Sequence, residues 1–169
     1  MKSLSTKDLA QISLLAALYV LLTVLPPFNA LSYGAYQLRL SEMLNFFAFL
    51  HPKYILSLTL GCMIANFYSF GLVDVFVGGG STLVFVSLGV WLFKSFVGQG
   101  KILSLFDKGY FFFSLFFASS MFTIALELHL LQGFPFVLTW FTTGLGELLS
   151  LLLGVLLFQN MEKRLRTLF

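Results

Sequence analysis

Long apolar stretches with almost no charge inside them dominate this sequence of 169 residues. Only 10% of the residues are charged and 22 are Phe, whereas a soluble domain has about 25% charged residues. Pro and Gly mark most of the breaks between the stretches, as expected where helices stop. Six helical segments are predicted, at Leu9–Leu25, Leu38–Leu50, Tyr54–Phe70, Leu72–Phe93, Tyr110–Leu131 and Pro135–Gln159.

The length of these segments predicts a membrane protein. A helix needs about 17–25 residues to cross the hydrocarbon layer, so the chain has room for one bundle of about six helices. The second segment is about 20 Å long and needs a thinned or protein-shielded place in the membrane. We therefore expect an all-α membrane protein, a six-transmembrane-helix bundle in which residues 1–169 form a single integral-membrane domain.

The basic residues predict how this bundle is oriented. If the N-terminus is cytoplasmic, nine of the ten Lys and Arg residues face the cytoplasm, as the positive-inside rule requires. These nine are Lys2, Lys7, Lys53, Lys94, Lys101, Lys108, Lys163, Arg164 and Arg166. The exception is Arg39, which faces outward. Both termini are therefore predicted to be cytoplasmic, and the net charge of +3 indicates membrane topology rather than nucleic-acid binding.

A small set of polar residues interrupts the apolar segments. Each ionisable group costs about 2.5–3.5 kcal/mol near the centre of a membrane helix, so it must face protein, water or a ligand. The predicted topology brings most of the set to one depth, in the outer half of the bundle, with Glu147 somewhat deeper. The set comprises Arg39, Glu42, Asn66, Asp74, Glu127 and Glu147.

The balance of charge in this set favours a ligand pocket open to the outside. Four carboxyl groups cannot all be neutralised by one arginine, so the surplus indicates a cationic or donor-rich ligand, or protonated acids. Salt bridges between helices remain the alternative for each acid alone. Helical spacing supports inward-facing stripes, because Asp74 shares a face with Ser81, Glu127 with Ser120, and Glu147 with Trp140.

Motifs for catalysis or metal binding are weak in this chain. Cys62 is the single cysteine, so neither a disulfide nor a thiol-rich metal site is possible within the chain. His129 lies two residues from Glu127 and points to a different helical face, which disfavours a metal pair. The stretch VGGGSTL lacks the lysine of a phosphate-binding loop, and no GxSxG or HExxH motif is present.

The first segment carries a step of small residues, Ser13 and Ala17. Such steps allow another helix to approach closely. Packing inside the bundle and docking onto a partner subunit are both compatible with this pattern.

Four stretches of the sequence resemble a known family, in order and with matching spacing from the first segment to the sixth. They are YQLRLSEMLNFFAFLHPKY, LGCMIANFYSFGLVDVFVGGGSTL, ELHLLQGFPF and GLGELLSLLLG. The chain is similar to the QueT family, whose members are substrate-binding S components of energy-coupling factor (ECF) transporters, a type of ABC importer. The family is assigned to the uptake of queuosine precursors. One departure is that Ser13 replaces the first alanine of the Ala-x-x-x-Ala step by which many S components dock.

The resemblance implies an outward-facing pocket capped by the connection between the first two helices, in a multi-pass protein of the bacterial plasma membrane. It also implies a transmembrane coupling subunit docked at Ser13 and Ala17, and two ATPase subunits. ATP is then used by those partners, and this chain binds no cofactor of its own. The implied substrate is a 7-deazaguanine such as preQ1 or preQ0, the aminomethyl and cyano forms.

Roles for the polar residues follow from this resemblance. Glu147 or Glu127 is expected at the guanine-like edge and Asp74 or Glu42 at the other polar end. Gln37 and Asn66 are expected to assist, and Arg39 to orient Glu42 or bind the ring carbonyl. Stacking is expected from the outer aromatic residues Tyr33, Tyr36 and Trp140.

Three alternatives remain open at this point. One is an S component for another small vitamin or cationic heterocycle. A second is a membrane-embedded enzyme with a metal held by Asp74, Glu127 and His129. The third is a scaffold subunit whose acids are paired within the protein.

Overall fold

The N-terminal part of the chain forms two helices and a segment that packs back against the first of them. A computed structural model of the chain describes residues 4–32, 37–69 and 71–168. Helix α1 spans Thr6–Val24, and Ser5 caps it by accepting a hydrogen bond from the backbone N–H of Asp8. A short helix α2, Phe28–Ser32, follows. A 3₁₀ segment, Leu40–Phe46, then packs against α1 and continues into the single α-helical turn α3, Phe47–Leu50.

From Lys53 onward, the described residues form five further helices and a small hairpin. Helix α4 spans Lys53–Ser69 and α5 spans Leu72–Phe93, followed by a 3₁₀ turn, Lys94–Phe96. Strands β1, Lys101–Ile102, and β2, Phe106–Asp107, pair antiparallel with Lys101 opposite Asp107. Helices α6, Lys108–Ser119, α7, Phe122–Gln132, and α8, Phe136–Leu168, complete the chain.

Contacts between elements close a ring around one core. α1 packs on α4, α4 on α5, α5 on α6, and α6 with α7 on α8; the 3₁₀ segment fills the space between α8 and α1. Among the described residues, four stretches are long and apolar enough to cross a membrane: Thr6–Val24, Leu72–Phe96, Lys108–Gln132 and Phe136–Glu162. The chain is therefore mostly helical, with four candidate membrane spans in the part that the structure describes.

The bundle has two distinct ends. At the basic end, Lys53 pairs with Asp8, their Nζ and Oδ1 atoms 2.6 Å apart, which joins the starts of α1 and α4. Gln159 of α8 reaches the hairpin there, donating to the Leu105 carbonyl oxygen at 2.9 Å and accepting from the Asp107 N–H at 3.2 Å. The opposite end, where α1 and α7 finish and α5 and α8 begin, is called the pocket end below.

An aromatic cluster fills the core toward the basic end. We call it the aromatic half. The centroids of its neighbouring rings lie 5.1–6.5 Å apart in mostly edge-to-face pairs, a favourable geometry for aromatic side chains. Its members are Phe46, Phe49, Tyr110, Phe113 and Phe158, and all are at least 95% buried.

The predicted segment Leu38–Leu50 is wrong in its type of helix. Residues Leu40–Phe46 form a 3₁₀ helix, and seven residues is long for that geometry. A 3₁₀ helix aligns side chains at positions i and i+3, and here this brings the Asn45 amide to the Glu42 carboxyl group. Asn45 Nδ2 donates to Glu42 Oε2 at 2.7 Å, and this hydrogen bond stabilises the 3₁₀ conformation.

The predicted segment Tyr110–Leu131 is not one continuous helix. It breaks between Ser119 and Phe122, where hydroxyl groups compete for backbone carbonyl oxygens. Ser120 Oγ donates to the Phe117 carbonyl oxygen at 2.6 Å and Thr123 Oγ1 to that of Ser120 at 3.0 Å. The break leaves the Ser119 carbonyl oxygen open to a partner from another helix.

The remaining boundaries follow the prediction to within three residues, except for the end of α8. α5 has the predicted bounds, Leu72–Phe93, and it starts after Gly71, whose φ of 96° suits glycine. α4 agrees up to Ser69, since Phe70 is outside the residues that the structure describes. α8 runs well past the predicted end at Gln159, because its final turns extend beyond the apolar part at the basic end.

Candidate functional site: a closed polar cavity

A small cavity lies at the pocket end, between the 3₁₀ segment and helices α4 to α8. Its free volume is about 20 Å³, which is room for about one water molecule. Small-molecule pockets usually enclose about 300–1,000 Å³, so the cavity is closed around very little space. Its lining comprises Gln37, Arg39, Glu42, Cys62, Gly78, Ser81, Thr82, Phe117, Met121, Ile124 and Glu147.

Glu42 is held in this cavity by two donors. The Tyr19 hydroxyl group of α1 donates to Oε1, and Asn45 donates to Oε2 from the next 3₁₀ turn. All three residues are at least 97% buried. Because both carboxyl oxygens have a donor, the position of Glu42 is fixed by the protein itself.

The start of the 3₁₀ segment is also fastened to α1. Thr23 Oγ1 is 2.7 Å from Ser41 Oγ and 2.9 Å from the Tyr19 carbonyl oxygen. Both hydroxyl groups are fully buried. This pair places Arg39 and Glu42, which lie on either side of Ser41 in the sequence, at the cavity wall.

Glu147 differs from Glu42 in its hydrogen bonds. It lies on α8 with only 2% of its surface exposed, and its Oε1 is buried without a hydrogen-bond partner in the part of the chain described. A buried acceptor without a donor is costly, so its retention inside the bundle points to a function. An Oε1 atom in this state can accept a hydrogen bond from a ligand.

Arg39 is the basic residue of this region. Its guanidinium group interacts electrostatically with Glu42, Glu147 and Glu127, which lie on three different elements. The charge of one cation thus acts on three carboxyl groups. The cluster is electrostatically suited to accept further donors or positive charge.

Gln37 approaches the cavity from the connection that precedes the 3₁₀ segment. Its φ is 43°, a left-handed conformation that is uncommon for a residue other than glycine. Such conformations cost about 1–3 kcal/mol and occur disproportionately at functional sites. Tyr33 and Tyr36, which the sequence also suggested for this region, lie outside the described residues.

Three of the predicted site residues form a second group on the seam between α4, α5 and α7. Asn66 Nδ2 donates to the Asp74 carbonyl oxygen at 3.1 Å, and Asn66 packs directly against Gly78, where a Cβ atom would overlap its amide. The Asp74 carboxyl group neighbours Glu127. This seam lies about one turn closer to the pocket end than the cavity wall.

Trp140 is not brought to the cavity. Its Nε1 donates to the Ser119 carbonyl oxygen at 2.9 Å, the group freed by the break between α6 and α7. The ring lines an open apolar groove of about 410 Å³ between α6 and α8, with Val137 and Phe141. The structure therefore gives Trp140 a role in joining two helices.

Ser13 and Ala17 both lie on the exposed face of α1. The face continues with Leu14, which is 69% exposed. Packing of this step inside the bundle, one of the two interpretations of the sequence, is therefore wrong. The small residues remain available to a partner outside the chain.

Several residues in or beside the cavity carry little signal in the sequence. Tyr19 sits in an apolar helix and resembles an ordinary core aromatic, while Cys62 and Thr82 resemble small packing residues. A tyrosine fully buried in an apolar helix needs a partner for its hydroxyl group, and this requirement is the one signal that could have suggested Tyr19. His129 is directed to the Phe134 carbonyl oxygen, 2.7 Å from its Nδ1 atom.

Helices long and apolar enough to cross a membrane, packed around a buried cavity with charged residues, are features of the class of membrane transport proteins. Comparison with known proteins places the chain within that class. The model of the QueT transporter family matches residues 9–163, and the chain belongs to this family. It is similar to the queuosine precursor transporter QueT of Lactococcus lactis subsp. cremoris (strain MG1363), with 52% identity over 164 residues, 97% of each chain.

The family resemblance predicted from the sequence is thus confirmed. Family and relative are transporters, so the chain is a transporter rather than an enzyme, and the metal-enzyme alternative is wrong. No solved structure matches the chain.

Proposed function

We propose that this chain is the substrate-binding S component of an ECF transporter and captures a queuosine precursor of the 7-deazaguanine type. Membership of the QueT family and the function of the Lactococcus relative support this proposal. The observation that carries it is Glu147, whose buried Oε1 atom faces a closed cavity without a hydrogen-bond donor among the described residues. An interior acceptor of this kind suits a polar planar solute that brings its own donors.

The binding mode follows from hydrogen-bonding chemistry. A guanine-like edge carries a ring N–H and an amino group side by side, and one carboxylate can accept from both. Glu147 has the unoccupied acceptor for this edge. Arg39 is the donor for the ring carbonyl, while Glu42 remains bound to Tyr19 and Asn45 and holds Arg39 in place.

The proposed topology has six crossings with both termini in the cytoplasm. α4, with 17 residues, is at the short limit for a crossing, and Leu40–Leu50 is a shorter apolar stretch covered by its neighbours. Lys53, Lys94, Lys101, Lys108 and Arg164 gather at the basic end, which the positive-inside rule places in the cytoplasm of a bacterial plasma membrane. The cavity then lies in the outer half of the bundle.

Release of the substrate would depend on partner subunits. A transmembrane coupling subunit would dock on the exposed face of α1 at Ser13 and Ala17, and two ATPase subunits would supply ATP hydrolysis. Small residues allow this close approach between helices. This chain would contribute binding, and its partners the energy for transport.

Binding to purified protein in lipid nanodiscs tests the substrate assignment. We expect 7-aminomethyl- or 7-cyano-7-deazaguanine to bind in calorimetry, and Glu147→Gln to weaken binding about 10- to 100-fold, the effect of losing a hydrogen bond to a charged group. Glu162→Gln is the matched control, the same substitution on the same helix beyond the cavity. Absence of binding by every deazaguanine, with binding of another vitamin or cationic heterocycle, would reassign the cargo. If no small molecule binds at all, the scaffold alternative gains support.

Copurification tests the assembly. We expect Ser13→Leu with Ala17→Leu to lose the coupling subunit and the ATPase subunits while still binding substrate, because bulky residues block helix approach. Gly80→Leu is the control, since Gly80 is exposed on α5 and a Cβ atom added there would meet no atom within 4 Å. Retention of the partners by the double variant would place the docking face elsewhere.

A further inference from the structure

The acid pair at the seam between α5 and α7 has no use in the binding mode described above. Glu127 is only 7% exposed, and among the described residues neither of its buried carboxyl oxygens has a partner that can donate without first taking up a proton. The Asp74 carboxyl group lies beside it. Two neighbouring carboxyl groups repel each other unless a proton or a cation lies between them.

Asn66 supplies an independent observation at the same place. It is 2% exposed, its Nδ2 is bound to the Asp74 carbonyl oxygen, and its Oδ1 is buried without a partner in the described ranges. Asn66 therefore adds a neutral acceptor without a donor beside the backbone of Asp74. Acceptors without donors are the complement of a group that only donates, such as an ammonium ion with its three N–H bonds.

The position of the seam fits the length of the cargo. Glu127 lies one turn from Ile124, and Asp74 one turn from Gly78, two residues of the cavity wall. Counted from the turn that joins α7 to α8, Glu127 and Glu147 differ in depth by about 9 Å at 1.5 Å per residue. A bicyclic heterocycle with a one-carbon amine arm has a comparable length.

We propose that Asp74, Glu127 and the Asn66 Oδ1 atom form a subsite for a protonated amine on the cargo. This inference rests on the proposed function and makes it more specific, because it selects a cationic 7-deazaguanine over a neutral one. The guanine-like edge lies at Glu147 and Arg39, and the amine arm extends toward the pocket end. A neutral analogue of the same shape leaves both carboxyl groups without a partner, which is the strongest basis for rejecting it.

A comparison of two ligands tests the subsite. Calorimetry in sodium-free nanodiscs measures binding of 7-aminomethyl-7-deazaguanine, which carries the amine, and of 7-cyano-7-deazaguanine, which does not. We expect the wild-type protein to prefer the aminomethyl compound by about tenfold or more, the effect of one charge-assisted hydrogen bond. Glu127→Gln and Asp74→Asn should each reduce that preference and leave binding of the cyano compound nearly unchanged, while Glu147→Gln should weaken both ligands alike.

The controls separate this inference from the proposed function. Retained binding of the cyano compound shows that a variant is folded. If Glu127→Gln binds neither ligand, the test of the subsite passes to Asp74→Asn, because Asp74 is partly exposed and its substitution disturbs folding less. An unchanged preference in both variants overturns the subsite but leaves the transporter assignment standing. If neither ligand binds the wild-type protein, the proposed function itself fails and the subsite with it. Thermal stabilisation by sodium over choline that disappears in Glu127→Gln would reassign the seam to an inorganic cation.

Discussion

The aromatic half of the core centres on Phe49, whose ring lies 5.1 Å from that of Tyr110 and 5.2 Å from that of Phe113. A few residues earlier in the same segment, Glu42 faces the cavity with Glu147. We call the residues of the cavity and the α5–α7 seam the polar half. Both halves are built from α8, α6 or α7, and the segment Leu40–Leu50, so the difference between them lies in side chains and not in architecture.

Burial of side chains has opposite effects on stability in the two halves. In the aromatic half, every ring gains contacts and no charge is buried, so packing stabilises the fold. In the polar half, Glu127 and Glu147 keep buried oxygen atoms without donors among the described residues, which lowers the stability of the ligand-free protein. Ligand-binding sites commonly lower the stability of the free protein in this way. A ligand that donates hydrogen bonds to these oxygen atoms then stabilises the protein when it binds.

The largest loss of stability is expected from the aromatic half. Phe113→Ala removes a fully buried ring and should lower the free energy of unfolding by about 3–5 kcal/mol. Denaturation in detergent micelles measures it, with Phe141→Ala as the control, since Phe141 is 68% exposed. Equal losses in both variants would mean that the aromatic half is no better packed than the lipid-facing surface.

A smaller loss is expected from the donor to Glu42. Tyr19→Phe keeps the ring and removes the hydroxyl group that donates to Oε1, which should cost about 1.5–3 kcal/mol. The matched control is Tyr68→Phe, because Tyr68 is 73% exposed on α4. A variant as stable as the control would show that Glu42 does not depend on this bond. Both proteins can be compared by the same micelle denaturation.

The boundary between the halves is sensitive to side-chain volume. A Cβ atom at Gly154 of α8 would lie 2.9 Å from Cα of Met43 and from Cε2 of Phe46. Gly154→Ala should therefore destabilise the protein by about 1–3 kcal/mol and weaken substrate binding, because the 3₁₀ segment must shift. Gly80→Ala meets no atom within 4 Å and should stabilise α5 by about 0.5–1 kcal/mol. If Gly154→Ala loses stability but keeps its affinity for substrate, packing at this boundary does not affect the binding site.

The smallest effect on stability is expected where the effect on binding is greatest. Glu147→Gln replaces a buried acid by a neutral amide of similar shape. The free energy of unfolding without ligand should therefore increase, or fall by less than about 1 kcal/mol, in thermal denaturation. Glu162→Gln again serves as the control. A loss as large as that of Tyr19→Phe would mean that Glu147 is tied into the fold as Glu42 is.

Much of the helical frame was predictable from the sequence because apolar length and glycine are local signals. α5 shows this, since Gly71 and the end of the apolar run define its bounds. The 3₁₀ winding of Leu40–Phe46 was not predictable, because it depends on hydrogen bonds that Glu42 makes with Asn45 and with the distant Tyr19. The break after Ser119 likewise depends on hydroxyl groups that are equally common inside helices.

The candidate site shows the same division. Arg39, Glu42 and Glu147 were predicted to lie together because a charged side chain in an apolar segment is costly unless it faces protein, water or a ligand. In the structure they line one cavity. Trp140 was predicted to share the face of Glu147, seven residues away, but an indole ring carries no such penalty in lipid, and the structure places it in the groove between α6 and α8. Whether each of these residues contacts substrate stays a prediction for the binding experiments.

The closed cavity also has a kinetic consequence. A space of about 20 Å³ cannot admit a bicyclic solute, so a transient widening must come before or together with binding. The observed association rate should then level off at high solute concentration, at the rate of widening, instead of rising without limit. The measured affinity would also be weaker than the intrinsic one by the fraction of molecules that are open. Once the walls close again, dissociation requires the same rare opening, which favours long retention of the cargo.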